Sequence, residues 1–244
     1  MILGIVSNAQ IKRKLMPIAS DCVSAIKIEF GKNKNVSYGP TVAPVGFGQT
    51  QEIKGNNQKS CNAFEQEHNS SWYYFDVVSD GDLLLDIIPT DSSNDYDFML
   101  FKAKGLDKSF CDLLDKQPIR SNISRSGKVG TGNTGLSSDG KANFVHAGPG
   151  ETFSKPLEVK KGERYYLVLD NVYSDGSGHT IKLGYQKTIQ IGGVVFNNES
   201  QPIQAEVTLA DGQGHNVTTQ SDSTGKYHIE AKLWEGFAYS ISFF

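Results

Sequence analysis

Alternating apolar and polar positions predict short strands along most of the chain. Residues 72–78 carry aromatic side chains at both even and odd positions, which indicates a strand covered on both faces. In the next predicted strand, residues 83–88, the apolar row Leu83, Leu85 and Ile87 is expected to face a core, because alternate side chains share a face. A third strand is expected over residues 95–101.

Two groups of strands follow from this pattern. Residues 26–30, 165–170 and 180–185 complete a first group of about eight strands with almost no helix, which predicts two packed antiparallel sheets. Only residues 110–114 suggest a helical turn, and residues 121–143 form a long polar stretch. After residue 187 a second group predicts a small β-sandwich, with strands expected at residues 189–196, 205–209, 226–230 and 239–243.

The composition agrees with a β-rich exported protein. Charged residues are 21% of the 244, glycine is abundant with 25 residues, and the net charge is −3, which leaves no basic surface for nucleic acid. Residues 1–9 resemble the end of a signal peptide, with an apolar segment before Ser7 and Ala9; an N-terminal strand is the alternative. No stretch is apolar enough to span a bilayer.

Three widely spaced cysteines, Cys22, Cys61 and Cys111, exclude a zinc motif of the Cys-x-x-Cys type. In an exported protein two of them would form a disulfide, and the sequence does not say which two. Three buried thiols in a reducing compartment are the alternative.

One acidic group suggests ligand chemistry. Five aspartates lie within residues 82–97, and Asp95 and Asp97 share one face of their predicted strand. Asp170, at the end of the strongest late strand, would join them if the strand ends meet. Carboxylates at irregular positions suit calcium, so a structural Ca²⁺ site at Asp95, Asp97 and Asp170 is predicted. A solvated acidic turn is the alternative.

Catalytic motifs are not found. The histidines are scattered, no Gly-x-Ser-x-Gly elbow occurs, and the glycine-rich residues 127–132 do not have the Gly-Lys-Ser/Thr ending of a phosphate-binding loop. The chain is therefore predicted not to be an enzyme, and no catalytic residue is assigned.

Three blocks resemble a known module of exported Bacteroidetes proteins. They are NSSWYYFDVVSDGDLLLDIIP, PIRSNISR and ERYYLVLDNVYSDGSGHTIKL, starting at Asn69, Pro118 and Glu163. In this order they are similar to jelly-roll domains of the pre-peptidase C-terminal type. The tail, with Gly193, Pro202 and residues 221–227, resembles the transthyretin-like carboxypeptidase regulatory-like domain.

The resemblance implies a jelly-roll β-sandwich over residues 10–186 and a small transthyretin-like β-sandwich over residues 187–244. The second module is expected to be cut short, as part of a longer protein. By this resemblance the chain is a non-catalytic binding or spacer region of an exported OmpA-like cell-envelope protein of a Gram-negative bacterium. Its partners would be envelope proteins or glycans, in the periplasm or at the outer membrane. The alternative is a carbohydrate-binding accessory region of a secreted hydrolase.

Overall fold

Nearly all regular structure in the chain is β-strand, which confirms the predicted all-β class. The computed structural model describes residues 19–30, 35–42, 45–53, 64–103, 111, 117–126, 132–173, 177–210, 216–234 and 238–244. Within them the one helical element is a 3₁₀ turn, Cys22–Ser24. The strands are β1 Ile26–Lys27, β2 Val36–Tyr38, β3 Ser70–Asp76, β4 Gly81–Pro89, β5 Tyr96–Lys102, β6 Arg120–Asn122, β7 Arg125–Ser126, β8 Thr134–Leu136, β9 Phe144–Val145, β10 Pro149–Gly150, β11 Phe153–Ser154, β12 Leu157–Val159, β13 Arg164–Asn171, β14 His179–Val194, β15 Glu206–Ala210, β16 Asn216–Gln220, β17 Lys226–Trp234 and β18 Ser240–Phe243.

Two sheets form the main sandwich. Sheet A has six strands in the order β1-β3-β13-β5-β6-β9, and sheet B has the order β11-β8-β4-β14-β17, with β12 beside β4 and β2 beside β14. Their facing sides enclose one apolar core. The predicted row Leu83, Leu85 and Ile87 is fully buried in it, opposite aromatic side chains such as Phe75 and Phe98 from sheet A. Alternation therefore identified the core face correctly.

A second apolar cluster covers the outer face of sheet A. Trp72, Met99, Phe101 and Val168 point to this side and pack against the segments around Ile53 and Phe64. This explains why residues 72–78 carry aromatics on both faces, as predicted for a strand that is covered on both sides.

A disulfide fixes the edge of this outer layer. Cys22, in the 3₁₀ turn, is bonded to Cys111, and 89 residues separate them in sequence. The pairing that the sequence left open is thereby assigned. Cys61 lies outside the described residues, as do residues 1–9, Gly236 and most of the predicted helical turn at 110–114.

The long strand β14 belongs to two structural units. Its first half pairs with β4 from His179 to Gln186, and its second half pairs with β17 from Gln186 to Val194. The second half, together with β17, packs against a three-stranded sheet, β16-β15-β18, around a small core that includes Val207 and Ile229. One continuous backbone thus crosses the predicted module boundary at residues 186/187.

The start of β4 depends on glycine at this junction. Gly81 has φ +152°, and a Cβ atom there would lie 2.6 Å from the carbonyl oxygen of Gln186. Next to it, Asp82 accepts a hydrogen bond from the ammonium group of Lys232 in β17 at 2.8 Å. A close backbone approach and an ion pair therefore join the main sandwich to the small unit.

The polar stretch at residues 121–143 contains more structure than the sequence indicated. The short strands β6, β7 and β8 begin or lie within it, and Thr134–Leu136 extends sheet B next to β4. Gly135 makes this possible, because a Cβ atom there would lie 1.9 Å from the carbonyl oxygen of Leu85.

Candidate functional site

The acidic run of residues 82–97 divides between the two sheets. Asp82 and Asp86 lie on β4 in sheet B, whereas Asp95 and Asp97 lie at the start of β5 in sheet A. Asp91 is in the intervening turn, where its carboxylate accepts hydrogen bonds from the backbone and hydroxyl of Ser93. The five carboxylates therefore do not form one cluster.

Two of the three predicted calcium ligands do come together. Asp97 on β5 and Asp170 on β13 are direct cross-strand neighbours, so their side chains share the outer face of sheet A. Burial, followed by the negative charges of Asp95 and Asp170, raises the pKa of Asp97 to about 8. Burial also raises the pKa of Asp95, and the positive charge of Arg125 partly opposes this. The start of β5 and the end of β13 therefore lie side by side, which is the condition for Asp170 to join Asp95 and Asp97.

Asp170 is already engaged by the covering segment. Its Oδ1 accepts hydrogen bonds from the backbone N–H groups of His68 and Asn69, both at 2.8 Å. Its Oδ2 lies 2.7 Å from Nδ1 of His68, and the carboxylate is completely buried. Asp170 therefore holds residues 68–69 against the end of β13, a role that the sequence did not suggest because 102 residues separate His68 from Asp170.

These contacts leave few oxygen atoms for a metal ion. Calcium takes six to eight oxygen ligands, while both oxygens of Asp170 already accept protein hydrogen bonds. Among the described residues, no group of three or more His, Cys, Asp or Glu side chains is arranged to hold a metal. The residues thus fit a calcium ion poorly at Asp170, and the calcium site remains a prediction for Asp95 and Asp97.

Two glutamates fasten the same covering layer. Glu67 is buried, accepting hydrogen bonds from the indole N–H of Trp72 at 2.8 Å and from the backbone N–H groups of Glu52 and Ile53. Glu52 in turn accepts a hydrogen bond from the backbone of Cys22 at 2.7 Å. Burial raises the pKa of Glu52 to about 7, and the backbone hydrogen bond from Cys22 partly opposes the rise.

His179 is a packing residue inside the main core, next to Tyr96 at the start of β5. Its Nε2 lies 2.8 Å from the hydroxyl of Tyr73, and its ring makes edge contacts with Tyr73 and Tyr96. Burial lowers the pKa of His179 to about 3, so the ring is neutral at physiological pH. A neutral ring enclosed by the core is placed for packing rather than for proton transfer with a substrate.

A recess lies between the two units. It has a volume of about 720 Å³, with β4, β8 and β14 of sheet B on one side and β15, β16 and β17 of the small unit on the other. Leu84, Asp86 and Gln186 project into it from the outer face of sheet B, since the alternate residues of these strands point into the core. We refer to this recess as the inter-unit cleft.

A smaller recess of about 350 Å³ lies beside the disulfide, lined in part by Tyr74, Tyr166 and Arg164. The two tyrosine rings stack on each other with centroids 5.6 Å apart, and the Arg164 guanidinium lies 4.8 Å from the centre of the Tyr74 ring. Arg164 also donates two hydrogen bonds to Asp76. These aromatic and charged groups mainly contact one another, so the inter-unit cleft is the stronger candidate for a ligand.

Comparisons with known proteins leave the family open. No protein-family model matches the chain, and no curated protein is significantly similar to it. The likeness to jelly-roll and transthyretin-like modules therefore remains a prediction from the quoted sequence blocks. Within the described ranges, no helix has the length and apolar character needed to cross a bilayer.

The sequence did not point to the inter-unit cleft. Gln186 follows the buried residues Ile181, Leu183 and Tyr185 at a position of the opposite parity, which predicts an exposed polar side chain. It is only 8% exposed, because the small unit covers this part of sheet B. Because the covering segment is distant in sequence, the local pattern of polar and apolar residues does not predict this burial.

The raised pKa of Asp97 predicts that the stability of the folded protein falls as the pH rises. Its pKa in the folded protein, about 8, exceeds the usual unfolded value, so the folded state binds more protons between about pH 4 and pH 8. Chemical denaturation should show the free energy of unfolding falling by roughly 1–3 kcal/mol from pH 5 to pH 8. Because the pKa of Glu52 is also raised, its ionisation lowers the free energy of unfolding in the same direction.

Asp97→Asn should remove most of this pH dependence, because the amide does not ionise. Asp91→Asn is the matched control, since Asp91 is fully exposed and its pKa is lowered by Ser93, which places its titration below this range. If the free energy of unfolding of Asp97→Asn falls with pH as steeply as that of the native chain, the pH dependence does not come from Asp97.

Proposed function

We propose that this chain is a non-catalytic binding and spacer region of an exported cell-envelope protein. The observation that carries the proposal is the continuous strand β14, which is hydrogen-bonded to β4 in the main sandwich and to β17 in the small unit. A shared strand holds the units in one orientation without a flexible linker. That property suits a part that positions neighbouring segments at a fixed distance.

The environments of the buried ionisable groups support a non-catalytic role. Asp170 and Glu67 accept hydrogen bonds from backbone and indole donors that fasten the covering layer. His179 is neutral and enclosed by aromatic side chains. A general acid or base must instead reach a bound substrate.

Export is supported by the covalent bond between Cys22 and Cys111. Structural disulfides persist in the periplasm and outside the cell, whereas cytosolic thiols are generally kept reduced. The disulfide therefore favours the exported alternative over three reduced thiols. It agrees with the envelope role and equally with the accessory region of a secreted hydrolase.

The inter-unit cleft favours a second candidate, the carbohydrate-binding accessory region. The two candidates share the scaffold and differ in what the chain attaches to. An envelope region would bind envelope proteins or glycans, and an accessory region would bind the polysaccharide that its hydrolase degrades.

A structural calcium ion at Asp95 and Asp97 remains part of the proposal. If it binds, millimolar calcium should raise the melting temperature relative to a chelator by about 5–11 °C, the shift given by a ligand present at about 100 times its dissociation constant. Asp97→Asn should abolish the shift, and Asp139→Asn, in the turn that follows β8 of sheet B, should retain it. Equal melting temperatures with calcium and with chelator would remove calcium from the proposal.

Co-sedimentation tests the envelope role. The full chain, with its disulfide intact, is mixed with outer-membrane fragments, with peptidoglycan sacculi, and with insoluble plant polysaccharide as the comparison. We expect retention on an envelope fraction, and protease treatment of that fraction separates a protein partner from a glycan. Retention on the polysaccharide alone would favour the accessory role, and no retention on any material would contradict binding.

A further inference from the structure

The inter-unit cleft contains a buried polar group that has no partner among the described residues. The side chain of Gln186 is more than nine-tenths buried, and its Oε1 has no hydrogen-bond partner among the described residues. An unpaired buried amide oxygen costs about 1–3 kcal/mol of stability. A protein retains such a group when something else supplies the missing donor.

Asp86, which is partly buried, lines the same recess. Burial raises the pKa of Asp86, and the only opposing influence is the positive charge of Lys182, which is its cross-strand neighbour on β14. No hydrogen bond from a described residue stabilises its carboxylate. Asp86 and Gln186 thus present unused acceptor oxygens on one wall of the same recess.

The chemistry of the cleft selects for a ligand that donates hydrogen bonds. Asp86, Asp139 and Gln186 supply acceptors, while Lys232, the positively charged group that lines the recess, is already bonded to Asp82 at 2.8 Å. An anionic ligand such as a phosphate would face two carboxylates, and the residues that line the recess offer it no cation free of an ion pair. A neutral ligand with several hydroxyl groups would satisfy the acceptors.

Apolar side chains complete the recess. Leu84 and Leu136 come from sheet B, and Leu209, Val217 and Leu233 come from the small unit. A pyranose ring has hydroxyl groups at its edge and C–H groups on its faces, so it matches a wall of acceptors beside apolar contacts. The volume of about 720 Å³ lies within the range of small-molecule sites and would admit roughly two or three sugar rings.

We infer that the inter-unit cleft binds an uncharged oligosaccharide, with Asp86 and Gln186 accepting hydrogen bonds from its hydroxyl groups. The inference deepens the proposed binding role, on which it rests, by naming the ligand class and the site. Because both units line the cleft, its shape depends on the shared strand β14. The fixed orientation of the units and the binding site are thus two consequences of one strand.

Calorimetric titration of the full chain tests this inference. The probes are chitotriose, cellotriose, maltotriose and mannotriose, together with trigalacturonate as an anionic sugar of the same length. At least one neutral trisaccharide should bind, and trigalacturonate should not. Gln186→Leu and Asp86→Ala should each weaken binding by at least ten-fold.

Thermal unfolding of the same variants separates binding from folding. Gln186→Leu removes a buried acceptor that has no partner among the described residues, and Asp86→Ala removes a partly buried carboxylate that accepts no hydrogen bond from them. The melting temperature of each variant should therefore equal or exceed that of the native chain, whereas loss of a structural residue would lower it. Gln190→Leu is the matched control, because Gln190 is exposed on the same strand and lies outside the cleft. It should bind the sugar unchanged.

Two results would overturn the inference. One is that none of the four neutral trisaccharides binds the native chain; the other is that one binds equally well to Gln186→Leu and Asp86→Ala. If either occurs while the chain still sediments with an envelope fraction, the proposed binding role stands and only the cleft assignment fails. Failure to sediment with any envelope fraction would instead contradict the role itself.

Discussion

Backbone hydrogen bonding along the single strand β14 is the constraint on which the rest of the structure depends. Because side chains alternate along a strand, its first half directs Ile181, Leu183 and Tyr185 into the main core and Gln186 to the outer face of sheet B. The second half pairs with β17 and forms part of the small unit, which borders that outer face at the inter-unit cleft. A shift of one residue in the pairing would reverse every one of these positions.

Buried carboxylates provide the second organising feature. Asp170 and Glu67 hold the covering layer by accepting backbone hydrogen bonds, so these carboxyl groups fix chain segments that are distant in sequence. Asp97 is partly buried beside Asp170, without comparable donors among the described residues, and its pKa rises accordingly. Asp86 faces the inter-unit cleft, also without donors. Neighbouring aspartates in one sequence run thus have different roles because β4 and β5 belong to opposite sheets.

Local patterns predicted the scaffold and not the site. The row Leu83, Leu85 and Ile87 was assigned to the core from alternation alone. The pairing of β5 with β13 places Asp97 opposite Asp170, an approach that the sequence could state only as a condition. The contacts of Asp170 with His68, the burial of Gln186 and the pairing of Cys22 with Cys111 arise between distant segments. Such contacts depend on strand order, which periodicity does not encode.

The distance between the two units across β14 tests the central claim most directly. Spin labels at Glu158→Cys in the main sandwich and Glu199→Cys in the small unit, in a Cys61→Ser background with the Cys22–Cys111 disulfide intact, report this distance by pulsed electron resonance. The shared strand predicts one narrow distribution, which a Gly-Gly insertion after Lys187 should broaden. A broad or bimodal distribution in the chain without the insertion would contradict a fixed orientation.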